Sequence, residues 1–252
     1  MGKVSEKWIG QKRVNRYGSE MILEKFNNSE DILVRFIDTG NLVKTSIKRF
    51  KIGDVRNPFH KSVLGIGYIG EGQRKTKING VQTKQYATWR NMLERCYNPK
   101  VKEKHPTYKD CTVDPEWHNF STFTKWFDNN YYEIEGEKMN LDKDILVKGN
   151  KIYSPETCVF VPQSINVLFV NHYERRGECP IGVYKHRDGF RAEININGEK
   201  VKIGTYKTEK EAFSWYKDIK ESVIKIAANE HKGIIPKKLY DAMHSYEVEI
   251  TD

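Results

Sequence analysis

Asp142 and Asp144 flank Lys143 beside a short apolar run, and alternate residues of an extended strand project to the same side. Two adjacent carboxylates on one face suit Mg²⁺ or another divalent metal, hard cations that take oxygen ligands. Asn166 and His172 fall on the helix that should follow, which makes Asp142, Asp144, Asn166 and His172 the candidate catalytic set, with Asp142 and Asp144 as metal ligands. Asn166 and His172 are six residues apart and do not share one helical face squarely. The competing reading has Asp142 capping a turn and Asp144 paired with a lysine.

A second set of residues suits recognition rather than chemistry. Val183 to His186, Phe190 to Asn195 and Lys200 to Gly204 are short extended runs separated by Asp188-Gly189 and Asn197-Gly198, dipeptides that favour tight hairpin turns. After Gly204 the period changes: Ala212, Trp215, Tyr216 and Ile219 mark one face of a helix that can cover one side of a three-stranded sheet. The other side stays open. Tyr184, Lys185, Arg187, Arg191 and Lys202 are its candidate DNA contacts, and arginine suits such work because its planar fork matches guanine edges and phosphates.

Other elements must hold these two sets in place. Tyr86, Trp89, Met92 and Leu93 mark a helix ended by Asn98-Pro99, and Asp114-Pro115-Glu116 opens a further helix or two carrying Trp117, Phe120, Phe123, Trp126 and Phe127. Asn140 to Leu146, Gly149 to Pro162 and Gln163 to Asn166 then read as strand, turn, strand and helix. Upstream, Ile9 to Val14, Met21 to Phe26, Asp31 to Asp38, Asn41 to Ile47 and Phe50 to Val55 are β-prone, with turn-like breaks between them. They predict a small curled barrel. Residues 1–61 hold 13 Lys or Arg against 7 Asp or Glu, so this module is basic, which suits an auxiliary nucleic-acid surface or a docking barrel for another protein. The glycine-rich run Gly65 to Gly72 lacks the Gly-Lys-Ser/Thr ending of a phosphate loop and reads as a linker or a closing turn.

The expected architecture is α+β in three modules: a small basic β-barrel over 1–75, a helical plus ββα unit over 80–173, and a three-stranded sheet packed on one helix over 177–230. A tail over 231–252 follows, in which Leu239, Met243 and Tyr246 are spaced like a helix face that could pack on the barrel or on a second copy. Gly177 to Pro180 reads as a connection between separately folding modules. A hydrophobic content of 38% is low for one large core and agrees with several small ones. The formal net charge of +9 favours a polyanionic partner. No run of some 18 apolar residues predicts a membrane span, and the first residues lack an apolar secretion signal, so an intracellular, cytoplasmic protein is expected. Cys96, Cys111, Cys158 and Cys179 form no Cys-x-x-Cys pair. They read as reduced thiols, and a structural zinc would need them to converge with His105, His118 or His172 without the usual spacing.

Gly182-Val183, Phe190-Arg191-Ala192 and Ile203-Gly204-Thr205-Tyr206 ahead of Thr208-Glu209-Lys210-Glu211-Ala212 resemble the Apetala/ethylene-response-factor type of DNA-binding domain, which also occurs in nucleases of phages and mobile elements. The resemblance covers about forty residues and implies a sheet that lies in the major groove of double-stranded DNA. The block from Tyr86 to about Asn171 looks like HNH-type endonucleases of phages and mobile elements. That likeness implies a ββα unit with one divalent metal, a base that activates water and a metal that stabilises the leaving oxygen. By position Asp142 falls where the family has its histidine base, Asp144 is the acidic residue two further on, and Thr157 falls where the family has an asparagine. A carboxylate base is weak at neutral pH unless burial raises its pKa. The resemblances together imply a phage-like, metal-dependent DNA endonuclease, located in the cytoplasm of an infected bacterium if a phage encodes it. The alternatives are a DNA-binding regulator without catalysis and a phage protein that docks on a host protein; under any of these readings a homodimer is open.

Overall fold

The computed structural model of the protein describes residues 7–72, 74–170, 178–196 and 198–250. Its chain is a mixture of helix and sheet that divides into two compact units, Met1–Asn129 and Asn130–Asp252. The division falls inside the module expected over 80–173, and each unit has a logic of its own.

In the first unit β1 (Lys12–Val14), β2 (Glu20–Asn28), β3 (Asp31–Phe36) and β4 (Leu42–Thr45) form an antiparallel sheet in that order. The sheet is open; among the described residues no strand closes it into the expected barrel. Alternation puts Met21 and Leu23 of β2 and Ile32, Val34 and Phe36 of β3 on one buried face, where Phe50 and Val55 join them. The segment from Phe50 to Val55, expected as a strand, is instead the end of helix α1 (Ile47–Lys51) and a turn through Gly53 at φ +71°. The reason lies in what must be buried. A strand would put Phe50 and Val55 on opposite faces, whereas here both enter one core and Ile52 is left exposed. Ser46 starts the helix by accepting a hydrogen bond from the Arg49 N–H.

A two-residue hairpin, β5 (Lys77–Ile78) with β6 (Val81–Gln82), precedes helix α2 (Lys84–Tyr97). Thr83 caps α2, and its buried residues are Trp89, Met92, Leu93 and Cys96, close to the sequence expectation. Asn98 ends α2 and caps α3 (Pro99–Lys104); β7 (Thr112–Val113) and α4 (Phe120–Asn130) follow. The run Gly65 to Gly72 is no linker. Tyr68 donates its N–H to the His118 carbonyl and accepts from the Phe120 N–H, and a Cβ at Gly67 would lie 2.6 Å from Leu93 and 2.8 Å from Trp89. A glycine there lets the backbone lie directly on α2.

The second unit opens with β8 (Met139–Asp142), β9 (Ile152–Tyr153), β10 (Val159–Pro162) and the short helix α5 (Gln163–Asn166). β8 and β10 pair antiparallel with Asp142 opposite Val159. Then come β11 (Val183–His186), β12 (Gly189–Ile196) and β13 (Glu199–Tyr206), an antiparallel sheet in chain order, and helices α6 (Glu209–Glu230) and α7 (Lys237–His244). The long helix α6 serves two cores. Its first half buries Ala212, Phe213 and Tyr216 against Val183, Ala192 and Ile194; its second half buries Ile224 and Ala228 with Val159, Val161 and Ile165. Leu239 and Met243 of α7 complete that second core, so the tail packs on the β8–β10 pair and α6. Cys179 packs against the sheet core, and Gly177 lies outside the described residues. No helix among the described residues is long and apolar enough to cross a membrane.

Candidate nucleic-acid interface

Phe190, Ala192, Ile194 and Ile196 of β12 turn toward α6, so Arg191, Glu193 and Asn195 turn away from it. Cross-strand register extends that open face. Arg191 lies opposite Tyr184 on β11 and Thr205 on β13, Glu193 opposite Lys202, and Asn195 opposite Lys200. Parity counted back from Tyr206, which packs on the α6 side, would have put Lys202 and Lys200 on that side too. A bulge reverses this: β13 advances from Lys202 to Gly204 while β12 advances only from Glu193 to Ala192. The extra residue, Ile203, packs against the helix core, and both lysines emerge on the open face. This face therefore presents Arg191, Lys200 and Lys202 against one carboxylate, Glu193, whose Oε1 lies 2.8 Å from the Arg191 Nε. Tyr184, 42% exposed, adds an aromatic side chain beside them.

Two of the expected contacts sit elsewhere. Lys185 lies opposite Phe190, on the edge of the covered side, and its Nζ is 3.5 Å from Glu178. Arg187 occupies the hairpin tip at φ +51°, in a turn made by Arg187 and Asp188, one residue earlier than the Asp188-Gly189 pair suggested. Gly189 is already the first residue of β12, and a Cβ on it would come 2.5 Å from the Tyr206 carbonyl oxygen. Gly182 has a comparable reason: at φ +73° it lies flat on the Tyr216 ring, where a Cβ would be 2.1 Å from ring carbons. Thr208 caps α6 by accepting from the Glu211 N–H.

The ββα part holds its carboxylates differently from the sequence expectation. β8 ends at Asp142, so Asp144 lies in the following bend and not two residues along a strand. Asp142 Oδ1 accepts the N–H groups of Asp144 and Ile145 at 2.9 and 2.8 Å, closing a local turn. Asp144 Oδ2 accepts from the buried Lys143 Nζ at 2.9 Å, and that ammonium also lies 5.9 Å from the Tyr153 ring centre. Turn cap and lysine pair are thus both present. Burial, with the Asp144 charge added, pushes the Asp142 carboxyl up to about 6. Burial pushes the neighbouring Cys158 thiol up to about 12. Thr157 donates its hydroxyl to the Ile152 carbonyl and bonds the Ser154 hydroxyl, which fixes the loop before β10. Asn166 is the last residue of α5, and His172 lies outside the described residues. Among the described residues no three His, Cys, Asp or Glu side chains converge as a metal-binding group, and Cys96, Cys111, Cys158 and Cys179 form no disulfide.

No protein-family model, curated protein or solved structure matches the chain. The residues that sequence reasoning missed are Lys200, Glu193, Asn195 and Thr205, and only Lys200 carried a visible signal, its alternation with Lys202.

Proposed function

We propose that the protein binds double-stranded DNA through the open face of β11, β12 and β13, and that recognition rather than cleavage is its main activity. The observation that carries this reading is the row Tyr184, Arg191 and Thr205, backed by Lys202 and Lys200, on the sheet face turned away from α6, where all but the half-buried Arg191 are exposed. A twisted three-stranded sheet presents side chains from adjacent strands to the base edges of one groove, and its lysines meet the flanking phosphates. Glu193 holds Arg191 in place until a guanine or phosphate replaces it.

Arg191→Ala is expected to cost about 1 to 3 kcal/mol of binding to the preferred duplex and to relax sequence preference. Lys185→Ala, on the other side of the sheet, is expected to leave affinity within about a factor of two. Fluorescence anisotropy on both variants checks this. An Arg191→Ala protein that binds like the parent removes the open face as the reader.

The second reading, a metal-dependent endonuclease, is supported by one feature: β8, β10 and α5 follow the strand, strand, helix order with a half-buried carboxyl at the end of the first strand. In that reading Asp142 and Asp144 would bind Mg²⁺ once their turn and lysine contacts opened, and the metal would stabilise the leaving oxygen. Supercoiled plasmid incubated with the protein and Mg²⁺ or Mn²⁺ is expected to show no more nicking than with chelator. Divalent-dependent nicks that vanish in Asp142→Asn would reverse the order of the two readings.

A further inference from the structure

The first unit carries a basic seam that the sheet of the second unit does not account for. Residues 13–17 run alongside residues 48–56, held by the Arg16 N–H on the Gly53 carbonyl and the buried Asn15 side chain on the Val55 carbonyl. Asn15 Oδ1 also accepts from the Tyr17 and Ser19 N–H groups, so the loop between β1 and β2 is fixed. Along this seam lie Arg13, Arg16, Arg49, Lys51 and Arg56, with Asp54 the one carboxylate paired with them among the described residues. Each cation is positioned rather than loose. Arg13 donates to the Lys51 carbonyl at 3.1 Å, Arg49 to the Asp54 carbonyl at 2.9 Å, and Arg56 Nε to the Tyr17 hydroxyl at 3.0 Å. Arg16 and Arg49 share Asp54 at 3.4 and 3.6 Å, and the Lys51 ammonium lies 4.4 Å from the Trp8 ring centre.

Five cations against one anion, held by backbone carbonyls, a hydroxyl, a ring face and the shared Asp54, is a net positive charge that folding keeps in place. A group of that kind gains most from a rigid, regularly spaced polyanion, because its side chains are already ordered when the ligand arrives. Guanidinium groups also match phosphate oxygens in two bonds. We infer that the seam formed by Arg13, Arg16, Arg49, Lys51 and Arg56 is a second DNA site, which grips the sugar-phosphate backbone of a duplex without reading its sequence. It stands independently of the role given to β11–β13, and the two make different demands on the DNA: one needs particular bases, the other needs only phosphates.

The test uses the full chain and a triple variant, Arg13→Gln, Lys51→Gln and Arg56→Gln, which leaves the Arg16–Asp54–Arg49 group intact. Binding to a random-sequence duplex is measured between 50 and 300 mM NaCl. Each lost phosphate contact removes about 0.9 from the slope of log K against log salt, so the triple variant should lose about 2 to 3 in slope and at least tenfold in affinity at about 0.1 M salt. Preferred and random duplexes should be weakened by the same factor. If the triple variant melts below the parent, Arg56→Gln alone carries the test, with an expected slope loss of about 1, because its guanidinium meets only an exposed hydroxyl and ring. Unchanged slope and affinity overturn the seam and leave the sheet untouched. Weakening by the triple variant with no effect of Arg191→Ala supports the seam and overturns the sheet. Failure of the parent to bind any duplex overturns both.

Discussion

Asp142→Asn is expected to make the protein more stable at pH 7 by about 2 kcal/mol and to leave its stability at pH 4 nearly unchanged. The carboxyl titrates at about 6 in the folded chain against an ordinary 3.8, raised by burial and by the Asp144 charge. The native state therefore binds the proton more tightly than the unfolded state. Above about pH 6 the folded protein carries the full cost of an ionised, half-hidden carboxylate; as pH falls through 6 that cost is relieved, and below about 4 both states are protonated. A shift of about two pK values corresponds to roughly 3 kcal/mol at most, and partial access of the carboxyl to water lowers the expectation to about 2. Asn keeps an oxygen acceptor for the Asp144 and Ile145 N–H groups, so the turn survives while the charge is gone. Urea unfolding of parent and variant at pH 7 and pH 4 measures the difference. A variant less stable than the parent at pH 7 would show that Lys143, buried beside this turn, compensates the Asp142 charge directly.

The periodic parts of this chain were legible in its sequence, and the parts fixed by tertiary packing were not. Helix α2 could be read from Trp89, Met92 and Leu93 because its buried face repeats every three to four residues and ends at an Asn-Pro step. The β11–β13 hairpins could be read because extended runs alternate with turn residues. The side on which Lys200 and Lys202 project could not, since one bulge at Ile203 inverts parity and nothing local announces it. Phe50 to Val55 is as β-prone as its neighbours and still folds as a helix end, because the core needed both Phe50 and Val55. At the ββα part the spacing of Asp142 and Asp144 was read correctly as acidic, but the strand stops at the first of them. The N–H groups of Asp144 and Ile145 then take one oxygen that a metal would have used. The glycine run, illegible as packing, shows a related limit: Gly67 marks close backbone contact with Trp89, and only the folded chain distinguishes that from a linker.

Truncation after residue 230 is expected to unfold the second unit and abolish the DNA binding proposed for the sheet, although it removes none of the residues on the open face. Leu239 and Met243 of α7 are fully buried among Val159, Val161, Ile165, Ile224 and Ala228. Emptying one such position costs about 2 to 5 kcal/mol, and the truncation empties both, together with Ile235. Val248 is lost as well, and with it a strap: Lys217 donates to the Val248 carbonyl at 2.8 Å and Glu221 accepts the Val248 N–H at 2.9 Å, tying the tail to the middle of α6. A unit of this size has only some 5 to 15 kcal/mol in hand. The damage reaches the sheet because α6 is one helix: fraying at Ile224 and Ala228 withdraws the support under Phe213 and Tyr216, against which Val183, Ala192 and Ile194 are packed. The fragment 177–230, which a modular reading would expect to fold alone, keeps all of α6 but leaves Ile224 and Ala228 of its second half bare, and should be unfolded by circular dichroism. Leu239→Ala in the full chain gives the graded form of the same test, with a loss of about 2 to 5 kcal/mol in urea unfolding. A soluble 177–230 fragment with dispersed amide signals would show that the sheet and the first half of α6 suffice, and would restore the separable reader.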